Sequence, residues 1–213
     1  MRILIIGYEG RLGKTLMQIF PGSAGVDRDN MDNLEQELGR AQVAFLAVPL
    51  KATLDIINMY PDYGGFVDLT SVKSPLKAFS KKITSMHPMF GPSSYMTNRD
   101  IIFINDISPA GSLEAMCDLF TGYNMISVTA DEHDKLMAEL LVKPYILSYI
   151  ADSQEMKMET SSHKKLLELS GIKYAENQDI MLDTIKFNKN TQSIIEEVEE
   201  KLRNIKKLIG NGR

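Results

Sequence analysis

A run of strand-forming residues, Ile3-Leu-Ile-Ile6, empties directly into Gly7, Gly10 and Gly13, and an amphipathic helical pattern begins at once. Few local arrangements constrain a fold more tightly. Glycines let a backbone approach phosphates closely, and the helix that follows offers N–H groups and the positive end of its dipole. Glycines alone are common, so the reading rests on the strand before and the helix after. Asp27 lies 20 positions beyond Gly7, behind the short apolar stretch Ala24-Gly25-Val26. A carboxylate about that far along accepts hydrogen bonds from the ribose in an NAD site. The usual spacing, Gly-x-Gly-x-x-Gly, is broken at one place: Gly7 sits one residue early, and Tyr8 stands where the first glycine is expected. The candidate dinucleotide contacts are Gly7, Tyr8, Gly10, Arg11, Leu12 and Gly13 in the turn, with Asp27 and Arg28 at the ribose. Asp27 argues for NAD. Arg28 argues for NADP, because an arginine there can pair with a 2′-phosphate.

Through residue 128 the chain alternates short apolar runs with helical patterns. The strand candidates are Ile3–Ile6, Ala24–Val26, Val43–Val48, Phe66–Leu69, Ile83–Met86, Ile101–Ile104 and Met125–Val128. Alternation of this kind predicts a mainly parallel sheet with helices on both faces, an α/β dinucleotide-binding domain of Rossmann type over residues 1–128. From Thr129-Ala-Asp-Glu onward no run reads as a strand. Leu136, Leu140, Leu141, Leu147 and Ile150 suggest one long helix kinked at Pro144. Ile194, Val198, Leu202, Ile205 and Ile209 form one apolar stripe at helical spacing. Residues 129–213 therefore read as a small all-α domain. A domain of that size has little core of its own, so the stripe suggests burial against a second copy, a homodimer.

Composition excludes several classes. A net charge of −4 gives no basic surface for nucleic acid, and the lysines between 201 and 207 alternate with apolar residues as a solvated helix face does. No apolar run is long enough to span a bilayer. The chain starts on a core strand with no signal peptide, and its single cysteine rules out a disulfide framework, so a cytoplasmic protein is expected. Cys117 falls on a helical pattern with Leu113, Met116 and Phe120 and reads as a core residue. No metal site is read from the sequence.

Two further segments follow strands: Asp68-Leu-Thr-Ser71-Val-Lys73, and His87-Pro-Met-Phe-Gly-Pro92. In an open parallel sheet, ligands bind at the carboxyl ends of strands. Ser71, Lys73 and His87 are thus candidates to converge on the cofactor. His87, bracketed by prolines and Gly91, has a rigid loop for a mount. It reads equally as a catalytic imidazole or a structural loop histidine. His133 follows acidic residues at a helix start and reads as solvated or capping, and His163 in a polar stretch reads as surface.

Gly10-Arg-Leu-Gly13, Ala47-Val48-Pro49, Asp68-Leu-Thr-Ser71-Val-Lys73, His87-Pro-Met-Phe-Gly-Pro92 and Glu132-His-Asp134 occur in this order and spacing. With them the chain closely resembles the prephenate dehydrogenase family of tyrosine biosynthesis, which includes the arogenate dehydrogenases. The likeness is good over roughly residues 1 to 150 and loose beyond. It implies an NAD(P)-dependent oxidoreductase that oxidises the ring hydroxyl carbon of prephenate, expels the ring carboxylate as CO₂ and yields 4-hydroxyphenylpyruvate. It also implies that Val48 and Pro49 contact the cofactor and that His87 accepts the hydroxyl proton. Ser71 would orient His87 or touch the nicotinamide end. Lys73 would add positive potential near the anionic substrate or pair structurally with Asp68. The family is similar in dimerising through its C-terminal helices. Two departures stand out. The family carries a histidine near where Tyr145 stands, and a substrate-carboxylate arginine in the helical domain. Between His133 and Leu202 this chain has no arginine. Lys143 and Lys173 are the candidates to replace it, without the bidentate fork. The departures keep three functions open: a prephenate or arogenate dehydrogenase, a dehydrogenase of a related hydroxy acid, and a catalytically inactive dinucleotide-binding dimer.

Overall fold

The computed structural model describes residues 1–91, 94–152, 156–158 and 160–210. Pro92, the last residue of the His87 motif, lies outside them, as do the final three residues. The chain divides into two compact units, Met1–His133 and Asp134–Arg213. The second begins at Asp134 rather than at 129, because the first turn of the connecting helix packs with the sheet unit.

In the first unit, seven strands among the described residues form one sheet: β1 Ile3–Ile6, β2 Ala24–Val26, β3 Val43–Leu46, β4 Phe66–Asp68, β5 Thr84–Pro88, β6 Asp100–Ile104 and β7 Asn124–Val128. Their order is β2-β1-β3-β4-β5-β6-β7. All neighbouring pairs are parallel except β5 and β6, which run antiparallel with His87 opposite Ile102. The mainly parallel reading holds, with one antiparallel step. Strand direction follows from the connections. Helices α1 Arg11–Ile19, α2 Leu34–Leu38 and α3 Leu50–Met59 fall between successive strands from β1 to β4, and crossovers of that length return the chain parallel. Among the described residues between β5 and β6 there are only turns, and the chain folds back into the antiparallel pair.

The central strands are apolar throughout because both of their faces are covered. Leu4, Ile5, Ile6, Ala44, Phe45 and Leu46 are fully buried. On one face Phe20 stacks on Phe45 with ring centroids 5.4 Å apart, and Phe120 meets both rings edge-on. Helix α4, Ser112–Leu119, contributes Met116 to this core. Cys117 does not join it. The cysteine is exposed, since the stripe on α4 is narrow and runs through Met116 and Phe120. One residue past Met116 turns about 100° away from it.

The second unit is helical: α5 Ala130–Met137 leads into it, followed by α6 Lys143–Ile150, α7 Ser161–Ala175, α8 Gln178–Phe187 and α9 Thr191–Gly210. The expected single kinked helix is instead α5 and α6 joined by a π-type stretch, Ala138–Val142. The amide of Lys143 bonds back to the carbonyl of Ala138, five residues earlier. The wider turn stands just before Pro144, which then occupies the first turn of α6, where its missing N–H costs nothing. Helices α7 and α8 start on side-chain caps, Thr160 for the amide of His163 and Asn177 for those of Asp179 and Ile180. Met181 and Ile194 are buried, whereas Leu202, Ile205 and Ile209 along α9 are more than half exposed. Among the described residues no helix is long and apolar enough to cross a membrane.

Candidate active site

The sheet order reverses at β1, with β2 on one side and β3 on the other. That reversal opens a crevice beyond the carboxyl ends of β1 and β3, the usual ligand position in a doubly wound sheet. The glycine turn fills one wall of it. Gly7 has φ of +84°, and a Cβ there would lie 2.5 Å from the carbonyl oxygen of Ala47 and 2.7 Å from Val48 Cγ1. Only glycine fits, because the turn after β3 closes directly upon it. A Cβ on Gly13 would strike the carbonyl oxygen of Gly7 and lie 2.7 Å from the Cα of Tyr8. The first turn of α1 therefore rests against β1 with no side chain between them. Gly10 caps α1 with extended backbone and no side-chain hydrogen bond. The crevice thus has a helix N-terminus at its floor and a backbone close enough to admit a pyrophosphate. The donor set fits a dinucleotide: Arg11, Leu12 and Gly13 form the helix start, and Val48 and Pro49, the N-cap of α3, form the facing turn.

Asp27 follows β2 at the same edge. Its carboxylate accepts from the amide of Glu9 at 3.0 Å and from that of Arg28 at 2.9 Å. The side chain thereby ties the glycine turn to β2. Arg28 is exposed beside it. Tyr8 lays its ring over Gly25, where a Cβ would come within 2.6 Å of the ring. Its hydroxyl donates to Glu9, and that contact, helped by the charges of Glu9, Asp27 and Asp29, holds the phenol above its ordinary pKa. Three carboxylates, those of Glu9, Asp27 and Asp29, thus act on this phenol.

The other end is built by β4 and β5, parallel neighbours with Asp68 beside Ser85. Ser71 stands half-buried on the turn that leaves β4. Lys73, two residues on, is fully buried: its Nζ donates to Asp68 at 2.6 Å and to the carbonyl of Met86 at 2.8 Å. Asp68 also accepts from Ser85 Oγ at 2.7 Å and from the amide of Thr70 at 2.9 Å. This geometry is the structural pairing of the two readings open for Lys73. His87 belongs to β5 itself and not to a loop after it, because pairing with β6 extends the strand through Pro88. A strand is a stiffer mount than the loop expected from the prolines. Its Nδ1 lies 3.0 Å from Nε2 of His133. Burial, then the neighbouring His133, then Lys73 hold the His87 imidazole well below its ordinary pKa, so it is neutral at neutral pH.

The molecule is similar in fold to the prephenate dehydrogenase of Aquifex aeolicus, solved in complex with hydroxyphenyl propionate and NAD+. The TM-score is 0.72 at 16% identity, and the match covers 99% of this chain and 91% of that one. Synechocystis arogenate dehydrogenase superposes with a TM-score of 0.67 at 15% identity, over 99% of this chain and 92% of that one. The fold is that of the prephenate and arogenate dehydrogenases. The resemblance drawn from the sequence motifs stands. A curated relative, the T-protein of Enterobacter agglomerans, is 26% identical over 151 residues, which is 64% of this chain. The chain spans 40% of that relative's own length. No protein-family model matches the chain.

Within this dehydrogenase fold, the histidine that sequence reasoning misplaced is His133. It is fully buried rather than solvated. Thr129 and Glu132 explain where it sits: the Glu132 carboxylate accepts from the amide and hydroxyl of Thr129, and the Thr129 hydroxyl accepts from the amide of Glu132. This reciprocal cap fixes the start of α5 and so presents the next residue, His133, toward β5. The Glu-His-Asp motif was visible, but nothing local in it revealed the partner 46 residues away. The two lysines proposed for the missing arginine are already engaged. Lys143 ion-pairs with Glu139 at 2.9 Å and Glu197 at 2.8 Å, and Lys173 with Asp152 at 2.7 Å. Among the described residues no cluster of three or more histidine, cysteine or acidic side chains could hold a metal.

Proposed function

We propose that this chain is a nicotinamide-dinucleotide-dependent dehydrogenase that carries out oxidative decarboxylation of prephenate, with arogenate as the alternative substrate. The observation that carries the reading is the shared edge of one sheet. The glycine turn after β1, Asp27 after β2, Val48 and Pro49 after β3, Ser71 after β4 and the neutral imidazole of His87 on β5 all lie at its carboxyl ends. A bound nicotinamide dinucleotide supplies the hydride acceptor. Gly7, Tyr8, Gly10, Arg11, Leu12 and Gly13 hold its pyrophosphate, Asp27 its ribose, and Val48 and Pro49 the facing side. His87 accepts the proton of the ring hydroxyl as that oxygen becomes a carbonyl, and its depressed pKa keeps the lone pair available throughout the neutral range. Ser71 steadies the nicotinamide end or His87. Lys73 acts through the strand, not on the substrate.

NAD is the proposed cofactor. Asp27, with Glu9 and Asp29 nearby, disfavours a 2′-phosphate, and Arg28 alone opposes them. A related hydroxy-acid substrate is the second reading, favoured by the absence of arginine from 134–201 and by the engagement of Lys143 and Lys173. The test is turnover of prephenate and of arogenate with NAD+ and NADP+, read by the absorbance of the reduced nicotinamide. Turnover of prephenate with higher kcat/KM for NAD+ is expected. No turnover of either substrate overturns the assignment, and a clear NADP+ advantage means Arg28 governs the ribose end.

A further inference from the structure

His87, half-buried, and His133, fully buried, form an imidazole pair whose polarity has chemical consequences. The ring centroids are 5.2 Å apart, the planes meet at 64°, and Nδ1 of His87 faces Nε2 of His133 at 3.0 Å. When both rings are neutral, two at that distance make one hydrogen bond: one N–H donates and one lone pair accepts. If His133 donated, Nδ1 of His87 would be the acceptor and its Nε2 would carry the proton. His87 would then be a hydrogen-bond donor at its outward nitrogen and unable to take a proton there. If His87 donates, Nε2 carries the lone pair and is a base.

We propose that His133 is a positioning residue whose Nε2 accepts the hydrogen bond from His87 Nδ1–H, locking His87 in the tautomer with an unprotonated, base-competent Nε2. The inference rests on the reading of His87 as the base. Three observations support it. His133 is fully buried, so solvent does not compete for its Nε2. The Thr129–Glu132 cap fixes the helix turn that carries it. The backbone of His87 is held in β5 opposite Ile102 by pairing with β6. During reaction the substrate O–H bond breaks and an Nε2–H bond forms on His87. The oxygen's electron pair becomes the carbonyl π bond as the hydride leaves for the cofactor. His133 neither gains nor loses a proton: the imidazolium of His87 keeps donating from Nδ1 to the same acceptor. A neutral imidazole stabilises that cation less than a carboxylate would, so His87 releases its proton readily before the next turnover.

The test uses the full-length chain and has a readout independent of activity. In protein labelled with ¹⁵N-histidine, the wild-type His87 ring at neutral pH should show a protonated Nδ1 and an imine-type Nε2. A protonated Nε2 overturns the proposal. His133→Gln places a carbonyl oxygen close to the position of Nε2 and should retain the tautomer and kcat to within a few-fold. His133→Leu fills similar space without an acceptor. It should mix the tautomers and lower kcat roughly 10- to 100-fold, the usual loss when a supporting hydrogen bond is removed, with KM for the dinucleotide unchanged. Equal losses in both variants, or none in His133→Leu, mean that His133 only fills space. If the wild type turns over neither prephenate nor arogenate, the functional reading fails, and the tautomer of His87 still decides this inference.

Discussion

At the scale of single residues, the Asp68–Lys73 pair decides whether the carboxyl edge of the sheet holds together. Both side chains are fully inaccessible and 2.6 Å apart. Burying two charges is costly, and the pair is tolerated because every contact around it is satisfied by Met86, Ser85 and Thr70. Lys73→Met leaves Asp68 buried without its cation and should cost about 3–5 kcal/mol in urea unfolding. Adding Asp68→Leu should recover much of that loss; additive effects of the two changes would show that the pair is not coupled. His87→Asn keeps some hydrogen bonding but cannot take a proton at the working nitrogen. It should lower kcat by roughly 10²–10⁴ with little change in dinucleotide affinity, and near-normal kcat would remove His87 from the chemistry. The same residue shapes acid stability. Its folded pKa lies below the unfolded 6.5 through burial, His133 and Lys73, so the unfolded chain binds the proton first. Stability from this source is fully present above pH 6.5 and declines as pH falls below it. Thermal melts across that range should show a steeper decline for the wild type than for His87→Asn.

At the scale of elements, the contact between β1, the glycine turn and α1 is set by backbone, not side chains. Gly13→Ala drives a methyl into the Gly7 carbonyl and the Tyr8 Cα. Neither is the far end of a flexible side chain, so α1 must move off the sheet. Overpacking of this kind costs about 1–3 kcal/mol, and the displaced helix start should also weaken NAD+ binding in calorimetric titration. Gly64→Ala, where nothing lies within 4 Å of the new methyl, is the control and should leave both unchanged. Wild-type affinity in Gly13→Ala would mean the dinucleotide does not bind at this turn. The π-type stretch before Pro144 is a second element-scale device. It re-phases α6 relative to α5 and lets proline sit where an amide is dispensable.

At the scale of the whole molecule, α9 is the unsettled surface. Ile194 at its start is buried at 5% exposure, but Leu202, Ile205 and Ile209 are 52, 53 and 72% exposed. Helix α9 meets its neighbours in the helical unit near its start, where Glu197 joins Lys143 and is held at a pKa of about 2 by Lys143 and Lys201. Beyond that anchor the apolar stripe continues, more than half exposed among the described residues. We expect a homodimer in which a two-fold axis buries the same stripe on both copies. Light scattering should give twice the chain mass, and Leu202→Glu should yield monomer or insoluble protein with reduced turnover. A well-behaved wild-type monomer at micromolar concentration would exclude this arrangement.

The strands and their order of use were legible because their signals are local. Apolar runs of strand length, glycines at Gly7 and Gly13 and the acidic residue after β2 each express a short-range requirement of backbone geometry or ligand charge. Such requirements also placed the glycine turn, Asp27 and the His87 segment at strand ends. Strand lengths were less legible: β3 stops at Leu46, so that Ala47–Pro49 can form the turn against Gly7, and β5 runs on through His87 because β6 pairs with it. What only the tertiary structure decided are the contacts made across the chain. His133 reads as a solvated residue at a helix start until β5 is placed beside it. Cys117 reads as core until the width of the α4 stripe is seen against its neighbours. Lys143 and Lys173 read as spare cations until Glu197 and Asp152 are brought to them. Hydrophobic period and turn chemistry act over a few residues and are written in order along the sequence. Burial and ionic or hydrogen-bond partnership depend on which surfaces the folded chain brings together, and that is fixed only when the elements pack.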